Sequence, residues 1–270
     1  MSEQSIFTEL SLFTPNFNHG RFLEHKLRQI VDAPVRPREY LIIDDCSTDN
    51  SWQIINDFCK EYSWIHSIKN KKNRGNHYNL DLALEFCSGK IFYSSAADDL
   101  TCQTAFFKIQ KMFKTFPSSG IFFSPMHVID EKGKQINTIT PVGLSKTQFI
   151  PPSAFFDLYI SKQGPRFSLG TSTYYNKDAL LEIGGYPHQA RSWQDTLAIW
   201  LIGMQFGGCY LENPLSSWRL LPNSNSHNFN KNIPNLVESA FYAKKHLDSK
   251  VNFYNFPKGF SKDWAKAYIT

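Results

Sequence analysis

No apolar run in this 270-residue sequence reaches the roughly 20 residues that cross a bilayer as a helix. The longest, Leu197 to Leu211, is broken by Gly203, Gln205, Gly207 and Gly208, so a membrane span is not expected. Cysteine is scarce: Cys46, Cys59, Cys87, Cys102 and Cys209 are odd in number, far apart and form no C-x-x-C pair, which argues against a disulfide framework or a zinc site. No G-x-G-x-x-G follows an apolar run, so the dinucleotide-binding fingerprint is missing. Basic residues exceed acidic ones only modestly, for a net charge of +5, and do not gather into blocks, so nucleic acid is not an expected partner. Residues Met1 to Leu10 carry Glu3 and Glu9 and lack the basic and apolar regions of a secretory signal. A cytoplasmic protein is expected. Internal repeats and low-complexity linkers are also lacking, whereas 41% hydrophobic and 15% aromatic residues supply a full core.

Strand-like and helix-like patterns alternate through the first hundred residues. Ile6 to Thr14 reads as a strand stopped by Pro15, and Arg21 to Val31 has Phe22, Leu23, Leu27, Ile30 and Val31 at helical spacing. Tyr40 to Ile43 is a short all-apolar run, as expected of a parallel strand covered on both faces. A helix from about Ser51, a strand at Trp64 to Ile68, a helix at Tyr78 to Cys87 and a strand at Ile91 to Ser94 follow. This alternation predicts an α/β fold with a mostly parallel, Rossmann-like sheet flanked by helices. Ligands of such sheets gather at the carboxyl ends of the strands. Three polar clusters lie there: Thr14 to Asn18, Asp44 to Asp49 and Ala96 to Asp99.

Beyond a helix at Gln103 to Phe116 the pattern becomes mixed. Gly120 to Ile129 and Gln135 to Ile139 read as a hairpin, Phe167 to Tyr175 as a strand, Lys177 to Ile183 as a helix closed by Gly184 and Gly185, and Asp195 to Phe206 as a long apolar helix. Asn230 to Leu247 reads as a final helix. The expected organisation is a domain over residues 1–229, with one half at about 1–100 and the other at about 101–229. Residues 230–270 form a helical extension packed on it.

Adjacent acids at a strand end, Asp98 and Asp99 after the small residues Ser94 to Ala97, suit a hard cation that shares its remaining positions with ligand phosphates. Taken alone, Asp-Asp pairs more often just cap a helix or turn. The second pair, Asp44 and Asp45, at another strand end favours the functional reading.

Together, Thr14-Pro15-Asn16-Phe17-Asn18, Ile43-Asp44-Asp45-Cys46-Ser47-Thr48-Asp49-Asn50-Ser51, Asn73-Arg74-Gly75 with Asn79, and Ala96-Ala97-Asp98-Asp99 resemble the family 2 glycosyltransferases. The resemblance continues through Gly184-Gly185-Tyr186, Gln194-Asp195, Pro214-Leu215 and Trp218-Arg219, and so covers most of residues 5 to 226. It implies a GT-A fold, with about 1–100 the nucleotide-binding half and about 101–229 the acceptor-binding half, and inverting transfer of a sugar from a nucleotide-sugar donor, with a UDP-sugar expected, assisted by Mn2+ or Mg2+. The acceptor it implies is a glycan or lipid-linked molecule in bacterial surface polysaccharide assembly. By motif position, Thr14, Pro15, Asn16, Asp45, Arg74 and Asp98 bind the nucleotide, and Asp45 reads as an exposed turn residue. Asp98 is the metal ligand, with Asp99 a second or supporting acid. Ala96 stands where the first acid of the family's D-x-D often lies.

Asp195 takes the place of the family's catalytic base, with Gln194 in place of the preceding Glu. Trp193, Gln194, Trp218 and Arg219 fall on the acceptor or sugar side. Tyr186 is a further stacking candidate, while His188 and His227 fall near the acceptor side, where a lone His more often makes a local hydrogen bond than a catalytic one. The aromatic and basic stretch Phe253 to Trp264 suggests peripheral contact with a membrane that carries the acceptor. Two rival readings remain. One is a nucleotide-sugar-binding module that has lost activity, for which Ala96 and Gln194 are the hints. The other is a nucleotidyltransferase, which would ordinarily carry a Gly-rich loop where Pro15 to Gly20 is rich in Asn and His.

Overall fold

The computed structural model describes residues 5–165, 167–222, 232–249 and 256–269. His227 and residues 253–255 lie outside them. Strand β1 (Ser5–Asn16), helix α1 (Gly20–Val31), β2 (Val35–Asp44), α2 (Ser51–Glu61), β3 (Ile65–Lys69), α3 (Gly75–Phe86) and β4 (Ile91–Ser94) follow the alternation of the sequence. The chain continues through β5 (Leu100–Thr101), α4 (Ala105–Thr115), β6 (Ile121–Phe123), β7 (Met126–Ile129), β8 (Gln135–Ile139), β9 (Gln148–Ile150) and α5 (Pro152–Leu158). Then come β10 (Thr173–Asn176), α6 (Lys177–Glu182), α7 (Gln194–Phe206), β11 (Gly208–Tyr210), β12 (Ser216–Arg219), α8 (Ile233–Ser249) and α9 (Phe260–Ile269).

The main sheet has the strand order β3-β2-β1-β4-β10-β6-β11-β9. Pairing is parallel from β3 to β4, and β10 then enters antiparallel to both β4 and β6. Alternating side chains feed two cores. Leu10, Leu12, Tyr40 and Ile42 face α1, α2 and α4, whereas Phe13, Leu41 and Ile43 face α3, α7 and the C-terminal helices. A strand buried on both faces needs an unbroken apolar run, and Tyr40 to Ile43 provide it, all four fully buried. Helix α7 is apolar around its whole circumference, as befits a helix enclosed on all sides, and Thr196 to Met204 are all buried. Gly184 and Gly185 end α6 with positive φ, their N–H groups returning to Leu181 and Leu180 carbonyls. This is the left-handed helix ending that glycine permits.

The stretch read as one strand, Gly120 to Ile129, is two. Ser124 and Pro125 turn the chain out of the main sheet, and β7 starts a second sheet of order β5-β12-β7-β8. The strand expected from Phe167 starts only at Thr173, after a tight turn at Gly170–Ser172. Two aromatic residues of the C-terminal stretch pack inward: Phe256 and Trp264 are buried, and Trp264 packs against Trp193 with ring centroids 4.1 Å apart. Those two rings are therefore not available to a membrane surface. Among the described residues, no helix is long and apolar enough to cross a bilayer.

Candidate active site

The ends of β2, β1 and β4 lie side by side, so the three polar clusters form one edge. Because β10 runs antiparallel to β4, the residues before it arrive at this same edge. Tyr93 Oη donates to the Thr171 carbonyl at 3.0 Å. The turn at Gly170–Ser172 is thereby brought into the site, together with the N-terminus of α7 nearby.

The β1 and β2 loops are laced together. Asn16 Nδ2 donates to Asp44 at 2.8 Å, Ser47 N and Oγ also donate to Asp44, and Asn18 Oδ1 accepts the Thr48 N–H at 2.8 Å. Thr14 is fully buried, and its hydroxyl contacts Tyr40 Oη and donates to the Ser95 carbonyl. It therefore shapes the pocket from beneath the loop.

Asp45 is buried, contrary to its reading as an exposed turn. It accepts hydrogen bonds from Asn70 Nδ2 at 2.7 Å and from the N–H groups of Arg74 and Gly75 at 2.8 Å each. Burial raises its pKa, but those donors outweigh burial and hold the carboxyl below its ordinary value. One carboxylate thus fixes the start of α3. Arg74 itself is exposed, with its guanidinium 4.2 Å from the Tyr78 ring centroid. It lies with Lys69, Asn70, Lys71 and Lys72 around a cavity of about 420 Å³ beside Asp45.

The two acids after β4 have different surroundings. Asp99 accepts the Arg219 N–H at 2.9 Å and the Thr171 hydroxyl at 3.2 Å, while its carbonyl accepts from Lys26 Nζ. Burial first, and Asp98 next to it, push the Asp99 carboxyl well above its ordinary value. Asp98 Oδ1 instead faces His19 Nδ1 across 3.7 Å, too long for a hydrogen bond. Lys26, fully buried on α1, also donates to Ser95 Oγ and Thr101 Oγ1. Burial lowers its pKa against the raising effect of Asp99 and Asp98.

Asp195 stands in the first turn of α7, half-buried. A Cβ on Gly170 would lie 2.9 Å from its Oδ2, so glycine is what lets the carboxylate occupy this place. Burial raises its pKa to about 6, opposed by the neighbouring His188. His188 is itself braced, with Nε2 2.7 Å from Asp81 and Nδ1 3.0 Å from Gln194 Oε1. Gln194 therefore holds His188 and is buried. Tyr186 is also buried, its ring edge-on to Tyr175 and its hydroxyl raised first by burial and then by the Asp195 charge.

Two expected sugar-side residues have other places. Trp193 is buried among Trp200, Trp264 and Tyr268, because it belongs to the joint between α7 and α9. The Arg219 guanidinium is buried on the carbonyls of Asp98, Asp130 and Glu131 and stacks on Phe22. It braces the acidic loop. Trp218 is half-buried against the core.

Sequence reasoning missed Lys26, Gly170 and Thr171. Only Lys26 left a signal, a lysine between Leu23, Leu27 and Ile30 on the face that should be apolar. Gly170 and Thr171 reach the site through strand order.

Comparison with known proteins follows the same lines. The profile of glycosyl transferase family 2 matches residues 11–184. A teichuronic acid biosynthesis glycosyltransferase of Bacillus subtilis (strain 168), TuaG, is 29% identical over 90 residues, 33% of this chain and 36% of that protein. The match thus spans about a third of each. Among solved structures, residues 1–349 of S. aureus TarS with UDP superpose at a TM-score of 0.64 and 14% identity, covering 94% of this chain and 74% of that one. The mannosyltransferase PcManGT of Pyrobaculum calidifontis, with GDP-Man and Mn2+, superposes at 0.60 and 16% identity, covering 99% and 70%. The main sheet and its flanking helices form a GT-A fold. With the family profile matched over most of the chain, the protein belongs to glycosyl transferase family 2.

Proposed function

We propose that the protein transfers a sugar from a nucleotide-sugar donor, with UDP as the nucleotide, to a glycan or lipid-linked acceptor in bacterial surface polysaccharide synthesis, with inversion. The observation that carries this reading is one tight turn. Within it, Thr171 touches Asp99 on the side of the acidic loop and Gly170 touches Asp195 on the side of the raised carboxyl. In this reading the turn puts the leaving-group side at one flank and the base at the other.

In this reading the nucleoside rests against the Asp45 loop and Arg74, and the diphosphate lies along Asp98. The residues there fit a divalent cation. Among the described residues, Asp98 Oδ1 makes no hydrogen bond and the His19 ring stays 3.7 Å away from it, whereas Asp99 is already engaged by Arg219 and Thr171. Asp98 would hold Mn2+ or Mg2+, with Asp99 and Arg219 bracing the loop, and the cation would neutralise charge on the departing diphosphate. Asp195 takes the proton of the acceptor hydroxyl as that oxygen bonds to the anomeric carbon and the bond to the diphosphate breaks. A carboxyl with a pKa of about 6 is ionised at neutral pH yet more basic than an exposed aspartate. The names of the relatives support the reading, through UDP in one solved structure, GDP-Man and Mn2+ in another, and teichuronic acid biosynthesis in the curated one.

A panel of UDP-, GDP-, dTDP- and CMP-sugars with Mn2+ tests it by thermal shift, since a ligand of the folded state raises its stability by mass action. Stabilisation by a UDP-sugar and a product of inverted anomeric configuration are expected. A retained configuration, read by NMR, would overturn the single displacement and the role of Asp195.

A further inference from the structure

We propose that His19 is a ligand of the divalent cation, binding through Nδ1 beside Asp98. The inference rests on the cation reading above and adds to it a nitrogen donor from the first loop of the fold. Position 96 is an alanine and offers no donor, and Asp99 is committed to the Arg219 N–H and the Thr171 hydroxyl. Asp98 by itself leaves a cation with one protein ligand. The next group at that carboxylate is an imidazole nitrogen, with His19 Nδ1 3.7 Å from Asp98 Oδ1. That gap is too wide for a hydrogen bond. It is close to the ~3 Å that separates neighbouring ligands of an octahedral ion bound at about 2.1 Å, so a small inward movement of either side chain closes the site.

Both donors are held from behind, which leaves their free atoms to face each other. His19 caps α1, its carbonyl accepting the N–H groups of Phe22 and Leu23, and its ring stands edge-on to Phe22 at 6.1 Å. The preceding Asn18 adopts φ +55° and is tied to the β2 loop, where its N–H donates to Ser47 Oγ and its Oδ1 accepts from Thr48. On the other side, Arg219 Nε donates to the Asp98 carbonyl at 2.8 Å. Arg219 also stacks its guanidinium on the same Phe22 ring, 4.7 Å from its centroid. Phe22 thus lies against both the residue that carries the nitrogen and the one that fixes the carboxylate. His19 is about a third exposed, so the space is open to a diphosphate and water, which would supply the remaining ligands.

An imidazole ligand has a chemical signature. Nitrogen suits Mn2+ and later transition ions better than Mg2+, which demands oxygen. Pulsed EPR of the full chain with Mn2+ and UDP reads the ligand directly, without turnover. The spectrum of wild type should show a directly bonded nitrogen, whose coupling changes on 15N-histidine labelling and disappears in His19→Ala. Mn2+ affinity in the presence of UDP should fall in His19→Ala by at least the ten- to hundredfold typical of losing an outer-shell partner. His19→Asp should shift preference towards Mg2+. If Mn2+ binds with UDP and is lost in Asp98→Asn but shows no nitrogen coupling, His19 is overturned and the Asp98 site stands. Unchanged Mn2+ affinity in His19→Ala overturns it equally. If wild type with UDP binds no Mn2+, both this inference and the cation reading fall.

Discussion

Replacing Asp195 by asparagine should make the protein more stable at neutral pH while removing transfer activity. Raising a carboxyl from 3.8 to about 6 means that its ionisation costs about 3 kcal/mol more in the fold than in the unfolded chain. The sign follows from which state ionises first. Below pH 3.8 the group is protonated in both states and costs nothing. Between 3.8 and 6 the unfolded chain ionises while the fold resists, so stability is lost progressively as pH rises, and above 6 the loss is complete. Asparagine keeps the shape of the protonated acid and never ionises. Its advantage should therefore be small near pH 4, grow through pH 5 to 6 and level off above pH 7. Because the side chain is half-buried, solvent screening reduces the plateau to about 1–3 kcal/mol. At roughly 2–3 °C per kcal/mol for a chain of this size, the melting temperature should rise by several degrees. Urea unfolding of both proteins from pH 4 to pH 8.5 measures the difference directly. An asparagine variant no more stable than wild type at pH 8, or an advantage independent of pH, would refute the argument that this carboxylate is held ionised at a cost. Donor binding should survive in the variant, and transfer should fall by about a hundred- to ten-thousandfold.

Wild-type transfer should rise with pH through a midpoint near 6 as Asp195 loses its proton, and a pH profile of kcat flat between 5 and 8 would assign the base elsewhere. Gly170→Ala should fold normally, since this glycine does not need a positive φ. Its new methyl would crowd the Asp195 carboxylate and lower kcat by up to about a hundredfold with little change in donor affinity, a contrast that steady-state kinetics resolves. Asp45→Ala leaves the Arg74 and Gly75 N–H groups and the Asn70 amide without their acceptor. It should cost about 1–3 kcal/mol of stability as well as donor binding, and calorimetry showing wild-type values for both would contradict the placement of this residue.

Those parts of the fold that rest on local chemistry were readable in the chain. The all-apolar Tyr40 to Ile43 run declared a covered parallel strand, and Gly184 and Gly185 marked the end of α6 because a left-handed helix ending favours glycine. The acids at the ends of β2 and β4 met at one edge because parallel order requires it. What was hidden depends on long-range pairing. No local pattern says that β10 inserts antiparallel beside β4, and that single choice carries Gly170 and Thr171 to the site. Trp193 shows the opposite limit. Its position beside Gln194 and Asp195 suggested a sugar platform, but burial against Trp264, some seventy residues away in the chain, decides where the ring goes. Asp45 follows the end of β2 as the alternation predicts, but it is buried rather than exposed, since its partners Asn70, Arg74 and Gly75 come from the next loop.

The contact between α7 and α9 has an optical consequence. Of the six tryptophans, Trp193, Trp200 and Trp264 share one cluster, with ring centroids 4.1 to 6.0 Å apart. Indoles this close couple their transitions and exchange excitation, so near-ultraviolet circular dichroism and intrinsic emission are weighted towards this joint. Trp193 directly precedes the helix that carries Asp195, and Trp264 lies on the last helix. The chain therefore has a built-in chromophore at the seam between its C-terminal helices and the candidate site, and ligand-driven movement there can be followed by light without any added label.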